Sequence, residues 1–325
     1  FTYWFVVLIK SCFANILGLN ISAALNSVFT IYIIIPFSII PQLLFSGVLV
    51  KFEKLHLTNY SSREYVPVVG DVMTARWSFE ALAVAQFRDN AYERNYFLRR
   101  AEVSRLEYDI MLINKLNNYL QQVSVYQDRE EYSQDVENKL FKLGFYIDEL
   151  SGYASVVPGR WKEDLSRDRF SPETKKDAGI WLDSLKVIYS DFLKQADRLE
   201  TEVTDQLEDK LGKDGPVKLR DDHENKWLRN LVLGHDRKGK ELMEETDRKV
   251  IRKFEPAYMK ATSGWGRAHF YAPVKRIGNL EIDTYWFNMA VIWTGSVILF
   301  LVLYFNLIRK LLEYFENLRL PKAEV

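Results

Sequence analysis

Asp221-Asp222-His223-Glu224 is a dense run of side chains able to ligate a metal or exchange protons. On a charged helix such a run is a solvated face. The four histidines, His56, His223, His235 and His269, are scattered, and no HExxH pattern joins any two of them. The carboxylate pairs Glu130-Glu131 and Glu244-Glu245 read as solvated helix surface. The single cysteine, Cys12, lies in an apolar stretch, which argues against thiol chemistry and a cysteine-based zinc site. No GxxxxGK[ST] phosphate loop occurs, so this chain does not bind ATP in that way. No catalytic, cofactor-binding or metal-binding residue is assigned, and the chain does not read as an enzyme.

The charges themselves point elsewhere. The 325 residues carry 44 basic and 44 acidic side chains, and this balance gives no argument for nucleic acid. Lys10 to Lys51 encloses no charge, nor does Asp283 to Arg309, and nearly every charge falls between those blocks. Two uncharged blocks around a charged one describe a membrane protein with a large water-exposed insertion. That insertion lacks cysteine and must be stabilised by packing. The opening FTYWFVVLIK has neither the basic start nor the small-residue cleavage site of a signal peptide, and reads as part of a longer polypeptide.

The blocks divide into three membrane helices. Residues 1–25 form the first, and a tight connection at Asn26 and Ser27 makes the second its antiparallel neighbour. Lys10 within the first is costly in lipid, where such a charge is often functional; its plain role is snorkelling toward a headgroup region or an interhelical hydrogen bond. Val28–Val50 is 23 uncharged residues, enough to cross a hydrocarbon layer, and it carries Pro36 and Pro41. Prolines are tolerated in a packed transmembrane helix, so this one reads as bundle-facing or pore-lining. Thr284–Ile308, 25 uncharged residues, is the third, with Tyr285, Trp286 and Phe287 at one interface and Arg309-Lys310 closing the other. The tail 309–325 reads as a short amphipathic helix ending before Pro321.

Between them, 51–90 reads as a re-entrant or interfacial segment. Asp71 is the expected N-cap of its helix, and Arg76 and Glu80 are spaced for an i, i+4 ion pair. From Ala91 to Pro256 the pattern is helical. Leu106, Ile113, Leu116 and Leu120 repeat at helical spacing, as do Val136, Leu140, Leu143, Ile147 and Leu150. A third stripe runs from Ala178 through Leu185 to Leu207, opened by Ser171 as N-cap and Pro172 at the first helical position. A fourth helical region holds Trp227, Leu228, Leu231, Leu242, Val250 and Phe254, and the aromatic stretch 262–288 reads as irregular. The expected fold is all-α: three transmembrane helices with a long coiled-coil-like helical bundle, 91–283, inserted before the last. Arg309, Lys310, Arg319 and Lys322 favour a cytoplasmic C-terminus, against Lys51, Lys54, Lys275 and Arg276 at the other ends.

Phe45, Ser46, Gly47, Val48 and Leu49, followed by Trp77, Glu80, Ala81, Leu82, Gln86 and Phe87, resemble the C-terminal permease half of the White-type (G subfamily) ABC exporters. The terminal TYWFNMAVIWTGSVILFLVLYFNLIRKL is similar to the last helix of bacterial members. The resemblance covers residues 1–90 and 280–312. It implies that the three helices are the fourth to sixth of a six-helix permease in the plasma (inner) membrane. The insertion would be extracytoplasmic (periplasmic) and the C-terminus cytoplasmic. ATP and Mg would be bound by a nucleotide-binding domain upstream or in trans, and the permease would work as a homodimer or heterodimer. Pro36, Ile40 and Leu43 would face the transport cavity, and Val48 and Leu49 would form the plug closing it outward. Two departures stand out: Val48 replaces a more usual leucine, and the external loop is enlarged and lacks the family's cysteines. The insertion could dock an extracytoplasmic protein. The alternative reading is a membrane-anchored coiled-coil sensor or tether without transport.

Overall fold

The computed structural model describes residues 1–25, 27–49, 52, 64–128, 134–235 and 242–319. Expectations placed on Asn26, Val50, Lys51, Lys54, His56, Glu130, Glu131, Pro321 and Lys322 lie outside them. In chain order the α-helices are α1 (Thr2–Ala24), α2 (Val28–Leu44), α3 (Val68–Val72), α4 (Thr74–Arg88), α5 (Glu93–Asp128), α6 (Gln134–Ala154), α7 (Pro172–Leu211), α8 (Gly215–His223) and α9 (Lys226–Leu233). Strands β1 (Met243–Glu245), β2 (Val250–Arg252), β3 (Val274–Ile277) and β4 (Leu280–Asp283) follow, then α10 (Thr284–Tyr304) and α11 (Leu307–Arg319). The chain is mostly helical and divides into two compact units, Phe1–Gln86 with Lys260–Val325, and Phe87–Met259.

In the first unit, α1 and α10 are long and apolar enough to cross a membrane, with 23 and 21 residues. At 1.5 Å per residue each measures about 30–35 Å. They run parallel. The Tyr285 hydroxyl donates to the Thr2 carbonyl (3.0 Å) at one end, and the Asn20 amide donates to Leu299 (2.9 Å) towards the other. Val6, Ile9, Tyr285, Met289 and Ile292 form their shared apolar seam, with Trp77, Ala81 and Ala85 of α4 packed into it. A buried amide such as Asn20 is tolerated between membrane helices because it finds a carbonyl on its neighbour.

Two helix ends differ from expectation, each for a backbone reason. α2 stops at Leu44, short of Val50, and the chain leaves the helix through a turn in which Gly47 takes φ +86°. The Ser46 hydroxyl donates to the Leu43 carbonyl (2.8 Å), answering one of the carbonyls that the helix end leaves open. A Cβ on Gly47 would stand 2.6–2.7 Å from the rings of Phe52 and Phe270, so no other residue fits the Phe-Ser-Gly turn. α10 stops at Tyr304, short of Ile308, because Asn306 adopts φ +51° and a second helix starts at Leu307.

The all-α expectation also needs correction. β3 and β4 form an antiparallel hairpin within the stretch read as irregular, with Ile277 opposite Leu280. Gly278, at φ +58°, and Asn279 make its two-residue loop.

The second unit is built on α5 and α7, which pair antiparallel. Tyr96 meets Thr204, Arg100 meets Glu200, Asn117 meets Asp183 and Ser124 meets Lys175. Their core takes in Leu106, Ile113, Leu116, Leu120, Ala178 and Leu185 from the expected stripes, with all five positions of the α6 stripe. Leu182 and Tyr189 are also buried there, and beyond Ala196 the α7 stripe is only partly covered. Gly234, at φ +73°, ends α9, and the region read as a fourth helix continues as the β1–β2 hairpin. Glu244 and Glu245 are therefore on a strand, not a helix surface. Glu245 is held by Lys142 (2.7 Å) and Lys115 (3.0 Å), and Glu244 by Lys253 (3.3 Å). Asp221 and Glu224, at the end of α8 and just beyond it, pair with Arg220 and Arg229.

Candidate functional site

The candidate site is built in the first unit from α2, the turn after it, and α4. No residue of α2 is buried by the rest of the chain. Its side chains nevertheless divide by face. Thr30, Ile34, Ser38, Pro41 and Gln42 are half-covered, whereas Val28, Tyr32, Pro36, Ile40 and Leu43 are exposed. Pro36, Ile40 and Leu43, spaced four and three apart, lie together within the uncovered face. Proline has no N–H, so Pro36 leaves the Tyr32 carbonyl without its helical donor on that same side. Val48 and Leu49 follow in the turn, both exposed, with the Val48 N–H donating to Ser46 Oγ (3.3 Å).

The opposite face of α2 is fastened to the start of α4. Gln42 Oε1 accepts from the Ala75 N–H (3.0 Å) and from the Thr74 hydroxyl (3.3 Å). Lys10 of α1 donates to that same Thr74 hydroxyl. Lys10 thus makes an interhelical hydrogen bond, and Gln42 supplies the side-chain acceptor at the N-terminus of α4. Asp71 is not its N-cap. It sits in the short α3, its backbone carbonyl accepts from Trp77 Nε1 (2.7 Å), and its carboxylate faces Arg76 (3.5 Å) and Arg267 (3.4 Å).

One turn further along α4 lies a fully buried charge cluster. Arg76 and Glu80 form the expected i, i+4 pair, at 3.6 Å, with 1% and 0% of their side chains exposed. The closer partner of Glu80 is Lys275 of β3, at 2.8 Å and also 0% exposed. Asn288 of α10 donates to the same Glu80 oxygen (2.9 Å) and to the Trp77 carbonyl (3.0 Å). The Arg76 guanidinium lies 3.8 Å from the Trp77 ring centre and the Lys275 ammonium 4.7 Å from it. Arg76 Nε and Nη1, Glu80 Oε1 and Asn288 Oδ1 are buried without a direct hydrogen-bond partner.

Burial pushes the Glu80 carboxyl up, but Arg76, Lys275 and the hydrogen bonds from Lys275 and Asn288 outweigh it and hold the group below its usual range. Burial lowers the Lys275 ammonium to about 8 although Glu80 favours its charge. Glu80 is thus an anion between two cations, tying α4 to β3 and to α10. Lys275 and Asn288 could not be paired with Glu80 from spacing, since they lie 195 and 208 residues along the chain. The signal available was the i, i+4 pair itself, a charged couple on a helix otherwise rich in Ala, Phe and Trp. Comparison of the chain with family models, with curated proteins and with solved structures finds no match.

Proposed function

We propose that the chain is the membrane-spanning permease portion of an ATP-driven exporter, moving its substrate outward through a cavity lined by α2. The observation that carries this reading is the direction of the helices. α1 and α10 are parallel neighbours of spanning length, so if both cross a bilayer, the chain between them returns an odd number of times. Among the described residues α2, a shorter apolar helix of 17 residues, would be the uncharged helix that makes that return, and the membrane helices would then number three. Its uncovered face, with Pro36, Ile40 and Leu43 at the centre and the open Tyr32 carbonyl beside them, would line the cavity. A second permease copy would close it from the other side, and Val48 and Leu49 would form the outer plug. Phe87–Met259 would stand outside the membrane, available to an extracytoplasmic protein partner. ATP and Mg would act from a nucleotide-binding domain outside this chain. That domain gives transport its direction by favouring one permease state over the other.

The test is Leu49→Gln in the complete transporter reconstituted in liposomes. Export is expected to be lost while ATP hydrolysis is partly retained, because the plug moves and the nucleotide sites do not. Export at the unmodified rate would overturn the assignment. A second reading, a sensor or tether without transport, draws on the size of the Phe87–Met259 unit and its own core. It predicts that removing residues 95–265 abolishes function, whereas a permease with an accessory bundle would keep some export.

A further inference from the structure

We propose that α11 is a membrane-surface helix whose apolar face is buried in the interfacial layer of the bilayer from which α10 emerges; this rests on the membrane reading of α10. The backbone turn between the two helices is the first observation. Asn306 at φ +51° interrupts the helical path, and its carbonyl accepts the first bond of the new helix from the Lys310 N–H (3.1 Å). Asparagine tolerates this left-handed conformation better than the leucines and aromatics around it. α11 is therefore a separate element, and its 13 residues, about 20 Å long, are too few to span.

The distribution of side chains is the second observation. Leu307, Leu311 and Phe315 recur every four residues, flanked by Leu312 and Tyr314, and these five are 44–61% exposed. Arg309, Lys310 and Glu313 occupy the other side, where Arg309 Nε and Glu313 Oε1 pair at 3.0 Å. Five large apolar side chains on one face is a costly arrangement in water. α11 starts at Leu307, three residues after α10 ends at Tyr304, so its first turn is held at the end of the spanning segment. A helix tethered there, with an apolar face and a charged one, lies in the interface plane. Over Leu307–Phe315 two basic side chains are offset by one acidic, so apolar burial and not attraction to anionic lipid carries the association.

The experiment places single cysteines in the full chain on a Cys12→Ser background, labelled with an environment-sensitive fluorophore, in phosphatidylcholine nanodiscs. Leu311→Cys and Phe315→Cys report the apolar face, Lys310→Cys the charged face and Val297→Cys the exposed flank of α10. With bromine on the upper acyl chain of the lipid, labels at 311 and 315 are expected to dim at least about twofold while the label at 310 does not. Adding anionic lipid is expected to leave those ratios unchanged. Quenching at 297 without quenching at 311 and 315 would overturn the inference and leave the membrane reading standing. No quenching at 297 would overturn both. Labels at 311 and 315 that are shielded from aqueous quencher yet unaffected by brominated lipid would put a protein on this face and likewise overturn the inference.

Discussion

Glu80→Gln isolates what the buried charges do. The substitution keeps the shape and removes the fully buried anion paired with both Lys275 and Arg76, leaving two cations, 0% and 1% exposed, with the partly exposed Asp71 carboxylate, 3.5 Å from Arg76, as the anion that remains. Breaking a buried pair by neutralising one partner costs about 3–5 kcal/mol. Lys275 limits that loss by releasing its proton, since burial already lowers it to about 8 with Glu80 in place. Its folded pKa lies below the unfolded value, so the unfolded state binds more protons and stability rises with pH through that window. Without Glu80 the window extends to lower pH, and the variant should recover between pH 6 and pH 9 more than the parent does. Glu80→Gln with Lys275→Met removes both charges and should restore most of the loss. Unfolding in mixed micelles by increasing SDS fraction, followed by tryptophan fluorescence, reads these differences, because Trp77 sits against both cations. Stability of Glu80→Gln within about 1 kcal/mol of the parent at pH 6 would refute the reasoning, since a buried carboxylate pairing two cations is worth more than that.

Two further outcomes concern the Phe87–Met259 unit. Burial pushes Asp109 up to about 7 from 3.8 despite Arg105 and Arg252, so the folded state holds its proton more tightly than the unfolded chain, and stability falls as pH rises between those values. Asp109→Asn should remove about 3 kcal/mol of destabilisation otherwise incurred between pH 5 and pH 8, measured by urea titration at each pH; an unchanged pH slope would count against it. Leu182→Ala, at a position with no exposed surface in the α5–α6–α7 core, should cost about 2–5 kcal/mol in the same assay. A loss below about 1 kcal/mol would mean that this core is loosely packed.

What was legible in the sequence followed the range of the interactions. The α6 stripe needs only the 3.6-residue repeat, and all five of its positions are buried. The start of α7 needs only local capping, and Ser171 Oγ accepts from the Thr174 N–H at 3.1 Å. The Arg76–Glu80 pair is likewise a matter of one helical turn. Lys275 was read as a charge near a membrane end, because nothing local marks it as the buried partner of Glu80. The β3–β4 hairpin did carry a signal, Gly278-Asn279 between short runs with apolar positions, but four-residue strands leave little alternation to count. The glycine of the turn after α2 is held by the Phe270 ring, which leaves no room for a Cβ at Gly47, a contact across 223 positions that helical spacing does not encode.

The short α2 and the buried charges are parts of one arrangement. Gln42 of α2 and Lys10 of α1 meet at Thr74, the first residue of α4. Were this end of α4 within a bilayer, no water would reach its first N–H groups, and lipid cannot hydrogen-bond them. Gln42 Oε1 answers the Ala75 N–H, and Lys10, which a plain spanning helix would exclude, steadies the Thr74 hydroxyl beside it. One turn on, Glu80 gathers Arg76, Lys275 and Asn288 so that the charged part of α4 faces protein on every side. A helix with these charges could enter the membrane only where neighbours supply partners of opposite sign. The pairing from α4 to β3 and α10 gives the buried charges of α4 partners on neighbouring elements, which any placement of that helix within a bilayer would require.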